Sequence, residues 1–96
     1  MSKQNAQRSA RQYLSVMGFS RVGLINQLTQ FDGYSAEDAT WAVDNIMANW
    51  DEQAAKSAQQ YLDVMGFSRD GLVNQLVQFD KYTQEQAEYG ASQAGL

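Results

Sequence analysis

Apolar residues in this chain fall into short stripes of helical spacing, separated by glycine-centred interruptions, and the whole arrangement occurs twice. Ala10, Tyr13, Leu14 and Met17 stand at i, i+3, i+4 and i+7, which predicts a first helix from about Asn5 to Met17. Gly18 sits where a left-handed cap would end it. Ser20 offers an N-cap for a second helix from Arg21 to about Gln30, with Leu24, Leu28 and Phe31 on one stripe and Ile25 beside it. Gly23, in the first turn, suits the close approach of another helix. Asp32-Gly33 reads as a turn. After Tyr34, Ser35-Ala-Glu-Asp38 is a capping-box-like start with acids at the positive end of a third helix. Thr83-Gln-Glu-Gln86 repeats that signal with a better closing residue and opens a final helix running to about Gln93.

The repetition is close. Tyr13 maps onto Tyr61, an offset of 48 residues, and the 23 positions from Gln12 to Tyr34 differ from their counterparts only at Ser15, Val22, Ile25, Thr29 and Gly33. A fixed period of this size marks a repeat architecture. Between 35 and 65 there is neither Gly nor Pro, and Ala39, Val43, Ile46 (with Met47), Trp50, Ala54, Tyr61 and Leu62 keep a helical spacing. The expectation is therefore one long helix over about 36–65, some 45 Å at 1.5 Å per residue, shared by both copies. Asn49-Trp50-Asp51 is the candidate break, because Asn and Asp compete for backbone hydrogen bonds. The predicted fold is all-α: two tandem helix-turn-helix (three-helix) repeats sharing a long central helix. Residues 1–96 form a single domain, with repeat one at about 5–48 and repeat two at about 53–96. In the second copy Gly90 replaces Ala42 and should weaken the last helix.

Composition bears more on function than on fold. The chain has no Cys and no His. That removes a thiolate metal site, a Cys nucleophile, the commonest metal ligand and the usual general base. Met1 to Ala10 is polar and lacks the apolar core of a signal peptide. No apolar run approaches the roughly 20 residues of a membrane span. Net charge is −4, unevenly spread. Lys3, Arg8, Arg11 and Arg21 make the first 31 residues basic, whereas Asp32, Glu37, Asp38, Asp44, Asp51, Glu52 and Asp63 crowd the middle.

A helix-turn-helix outline raises DNA binding, which depends on neutralising phosphates and placing a helix in the major groove. Here the helices after the turns carry Glu37, Asp38 and Glu85, so nucleic acid is not the expected partner. Catalysis finds no support: Ser20 and Ser68 serve as caps, and the neighbouring acids Glu37/Asp38 and Asp51/Glu52 diverge on a helix. No catalytic, cofactor or metal residues are assigned, and no Asp-x-Asp-x-Asp-Gly calcium loop is present. The recurring Phe19/Phe67, Phe31/Phe79 and Tyr13/Tyr61 sets are read as packing inside each unit. Trp41, whose counterpart is Tyr89, lies off the apolar stripe. It is either an exposed partner anchor or a cover on the edge of its own small core. Asn26-Gln27 and Asn74-Gln75 either bind backbone carbonyls or face water.

The pattern Tyr-Leu-x-x-Met-x-Phe-Ser-x-x-Gly-Leu-x-x-Gln-Leu, followed by Tyr-Ser/Thr-x-Glu-x-Ala and by Trp41-Ala-Val-Asp-Asn-Ile46, resembles the Ltp-type host cell surface-exposed lipoprotein domain. The likeness runs from Arg8 through nearly the whole chain and includes the tandem arrangement. It implies a phage-encoded protein on the bacterial surface that excludes superinfecting phage by blocking DNA entry. It implies contact with an incoming phage protein, the tape measure protein, through complementary charge. On that basis the partner-binding candidates are Glu37, Asp38, Asp44, Asp51, Glu52 and Asp63, with Trp41. Tyr13, Met17, Gly18, Phe19, Gly23, Leu24 and Leu28 are structural. Family members are anchored through a signal sequence and a lipidated Cys, neither of which this chain contains. Either an upstream lipid anchor or transmembrane segment is expected or this member is soluble, and surface display follows from the resemblance alone. A monomer is expected. The alternatives are a DNA-binding accessory protein and a bacterial envelope scaffold unrelated to phage.

Overall fold

A computed structural model describes residues 2–96 and shows six α-helices and no strand among them: α1 (Ser2–Val16), α2 (Arg21–Asn26), α3 (Ala36–Asp44), α4 (Trp50–Val64), α5 (Arg69–Gln78) and α6 (Gln84–Gln93). Helices α1–α3 form one unit and α4–α6 the other. Ala10, Leu24, Leu28, Ala39 and Val43 fill the first core, with Trp50 packed at its edge. Ala54, Ala58, Leu72, Leu76, Tyr82, Ala87 and Ala91 fill the second. Ala10, Leu24, Leu28, Ala39, Val43 and Ala54 come from the stripes that the periodicity picks out, whereas Met17, at the end of the first stripe, is 47% exposed.

The helix starts follow the sequence signals. The side chains of Ser20, Ser35, Ser68 and Thr83 each accept a hydrogen bond from the N–H three residues on. Only Thr83 closes a full capping box, because Gln86 reaches back to its N–H at 3.0 Å, whereas Asp38 does not return the bond to Ser35.

Several expectations are corrected. The central helix is not continuous. α3 stops at Asp44, the chain turns through Met47 at φ 58°, and Asn49 caps α4 by accepting from the Glu52 N–H at 3.1 Å. The cause is the competition that Asn residues offer. Asn45 spends its side-chain amide on the Trp41 carbonyl at 2.7 Å, and Asn49 adopts an extended backbone to cap the next helix. Gly18 and Gly66 do not take left-handed caps; among the described residues positive φ occurs at Gly33, Gly95, Met47 and Lys81. Phe31 and Phe79 are not core residues, being 76% and 70% exposed. Each stands at the end of its helical stretch, where Tyr34 and Tyr82 fold back to bond the carbonyls of Leu28 and Leu76 and occupy the inner position instead.

One local difference separates the copies. After α2 the chain widens into a π-helical turn over Gln27–Phe31, while α5 stays α-helical throughout. Thr29 lies in this turn and donates its hydroxyl to the carbonyls of Ile25 and Asn26 at 3.0 and 3.3 Å; its counterpart Val77 has no hydroxyl to do so.

Candidate interaction surfaces

Side chains with chemistry converge at two places: the joint between the units and the turn from α3 to α4. At the joint, the corner between α1 and α2 is pressed onto α4. The Gly18 N–H donates to Gln60 Oε1 at 3.1 Å and the Phe19 N–H to Gln53 Oε1 at 3.3 Å. Lys56 Nζ donates to the Leu14 carbonyl at 2.8 Å, and the Ser20 hydroxyl to the Asp80 carbonyl. A Cβ on Gly18 would meet Ser57 Oγ and lie 2.8 Å from the Gln53 carbonyl oxygen, so only glycine lets the corner come this close. Gly23, expected to face a helix, instead faces its own cap Ser20 and the Asp80 carbonyl.

Beneath the corner, the Ser57 and Tyr82 hydroxyls are 2.6 Å apart and Tyr82 donates to the Gln53 carbonyl at 2.9 Å. Burial pushes the Tyr82 phenol well above its ordinary range. Asp80 accepts from the Tyr61 hydroxyl at 3.0 Å, while its other carboxylate oxygen is buried without a partner. Burial raises its pKa, and the Tyr61 hydrogen bond opposes that rise without cancelling it. A cavity of about 240 Å³ lined by Met17, Gly18, Ser57, Gln60 and Tyr61 opens beside Asp80.

The acidic residues singled out from the sequence do not lie on one helix. Glu37 and Asp38 occupy the first turn of α3, Asp51 and Glu52 the first turn of α4, where each pair faces the positive end of a helix. Asp44 is paired with Arg21 across α2 and α3, with contacts of 2.7 and 2.9 Å. The Arg21 hydrogen bonds hold the Asp44 carboxyl below the usual carboxylate range. Glu52 accepts from the Tyr89 hydroxyl at 2.7 Å, and Asp63 accepts from Gln59 at 2.9 Å. Among the described residues no three acids come together in a way that could hold a metal ion.

Trp41 is half-buried, with Lys3 Nζ 5.0 Å from its ring centroid. Met47, expected on the apolar stripe of a continuous helix, is instead the residue the sequence reading misplaced. It is 89% exposed, holds a left-handed backbone conformation, and borders a groove with Trp50, Asp51 and Gln86. Its signal was the cap Asn49, which could not start a helix without a turn before it.

These features define a tandem helix-turn-helix module whose two units are fused by a hydrogen-bonded joint. The family described as host cell surface-exposed lipoprotein matches residues 2–46 and again 49–93, and the chain belongs to it. The structure of Ltp, a superinfection exclusion protein from the Streptococcus thermophilus temperate phage TP-J34, is similar at 38% identity with a TM-score of 0.90. That likeness covers 96% of this chain and 94% of the other. No curated protein matches. No helix among the described residues is long and apolar enough to cross a membrane.

Proposed function

We propose that this chain, acting as one domain over residues 1–96, is a non-catalytic interaction module that excludes superinfecting phage by stopping DNA entry at the cell surface. The observation that carries this reading is the 38% identity, over nearly the full length, with a superinfection exclusion protein. The partner is an incoming phage component of the tape measure kind, met through complementary charge rather than through chemistry. The contact surface centres on the α3–α4 turn, where exposed Met47 stands beside exposed Asp51, with Glu37 at the start of α3. An exposed apolar residue beside a charged one is a common make-up of a small protein contact. Asp44 and Glu52 are occupied by Arg21 and Tyr89, so they contribute to the field more than to direct contacts.

The test is to display the chain on the bacterial surface and measure phage adsorption and DNA entry separately. Wild type should leave adsorption unchanged and lower DNA entry. The variant Glu37→Lys/Asp51→Lys should fold normally and lose at least ten-fold of the protection, about 1.4 kcal/mol of binding. Full protection by that variant sinks the acidic surface, and no protection by wild type sinks the phage role in favour of an envelope scaffold.

A further inference from the structure

The two copies are nearly identical in sequence from Gln12 to Tyr34, yet they differ in burial along one pair of faces. Gly18 and Ser20 are buried, whereas their counterparts Gly66 and Ser68 are exposed. In the other direction, Ser57 and Tyr82 are buried and Gln53, Lys56 and Gln60 half-buried, whereas Ser9 and Tyr34 are half-buried and Asn5, Arg8 and Gln12 exposed. The joint therefore consists of a corner from one unit seated on a helix face of the next. The corner of the second unit and the helix face of the first remain uncovered at opposite ends of the same relation. The surface at the uncovered corner is apolar: Val64 and Met65 are 78% and 58% exposed, and nothing lies within 4 Å of where a Gly66 Cβ would stand.

The uncovered helix face keeps the seat. A groove lined by Ser9, Gln12, Tyr13, Val16 and Asp32 is the counterpart of the cavity at the joint, whose lining includes Ser57, Gln60, Tyr61, Val64 and Asp80. In the second unit Met17 and Gly18 close that space; in the first nothing among the described residues does.

We propose that a second copy of this chain fills it, the corner 64–68 of one molecule seating on α1 of the next, head to tail. The donors and acceptors at this contact match those of the internal joint. Gly66 N–H would meet Gln12 as Gly18 meets Gln60, the Ser68 hydroxyl would meet the Asp32 carbonyl as Ser20 meets that of Asp80, and Arg8 would meet the Leu62 carbonyl as Lys56 meets that of Leu14. Asn5, one methylene shorter than Gln53, is the weakest match. Such an interface is heterologous, so it propagates instead of closing into a dimer. The internal joint forms at the high effective concentration of one chain, whereas association of two molecules carries a translational and rotational cost. Growth should therefore appear only at high concentration or on a crowded surface, in place of the strict monomer expected from sequence.

Sedimentation equilibrium on the wild-type chain up to ~1 mM tests this, in the range where weak contacts are populated. The average mass should rise past that of a dimer without a plateau. Gly66→Trp blocks the corner and Arg8→Glu/Gln12→Arg spoils the face. All three sites are exposed, so melting curves should match wild type. Each variant alone should stay monomeric, and an equimolar mixture should recover association that stops at a dimer. A wild-type mass fixed at monomer through ~1 mM overturns the proposal and leaves both faces to another protein. So does a closed dimer, or association that both variants leave intact.

Discussion

Asp32 and Asp80 are the same residue in two copies of one turn, each taking a hydrogen bond from a tyrosine two helices back. Tyr13 reaches both carboxylate oxygens of exposed Asp32, at 2.8 and 2.9 Å, whereas Tyr61 reaches one oxygen of Asp80 and leaves the other buried and unpaired. A carboxyl whose pKa is raised on folding stabilises the protein below the unfolded pKa, and that contribution is lost as pH rises through the folded value. Asp80→Asn, which cannot ionise, should therefore melt above wild type at pH 7. The difference should shrink as the pH falls through the raised folded value and vanish below about 4, where both side chains are neutral. Calorimetry at a series of pH values checks this; a variant that melts lower at pH 7 would mean that the ionised carboxylate is welcome there.

At the scale of elements, α4 and α6 pack most closely at Gly90. A Cβ there would lie 2.6 Å from the Ala54 carbonyl oxygen and 3.1 Å from its Cβ. Sequence made Gly90 a weak point in a helix; packing makes it the condition for contact between two helices. Gly90→Ala would gain up to about 1 kcal/mol in helix propensity. It would also force apart two rigid backbones, at about 1–3 kcal/mol. The net expectation is a loss, read as a lower thermal midpoint, and a stabilised variant would show that α6 can slide away freely. Helix positions and caps were legible because Ser20, Ser35, Ser68 and Thr83 act through neighbours three residues away. The same local reading placed the stripes Leu24/Leu28 and Leu72/Leu76 in the cores. A break was flagged at Asn49-Trp50-Asp51 but not expected, since apolar spacing runs across it unchanged; it falls earlier, between Asp44 and Trp50. The exposure of Phe31 and Phe79, and the use of Gly18 for close approach, depend on long-range partners that periodicity does not contain. Of the acids singled out for contact, sequence gave no sign that Asp44 and Glu52 would find partners 23 and 37 residues away.

At the scale of the whole molecule, about 43 × 23 × 19 Å, the joint decides whether two small cores behave as one. Gly18→Ala places a methyl group against Ser57 and the α4 backbone and should cost about 1–3 kcal/mol. Gly66→Ala, the same change at an open position, should fall within about 0.5 kcal/mol of wild type. Equal effects of the two would mean that the joint contributes nothing to stability. The placement of Trp50 adds an optical consequence. Although it opens α4, it packs on the first core, and Trp41 belongs to α3, so both indole chromophores of the chain report on the N-terminal half. Beyond Trp50 the aromatic residues are tyrosines and phenylalanines alone. Indole emission excited at the red edge is thus weighted to the first core, whereas far-ultraviolet ellipticity counts all six helices. In the Gly18→Ala protein the gap between those two signals measures how far one half melts without the other.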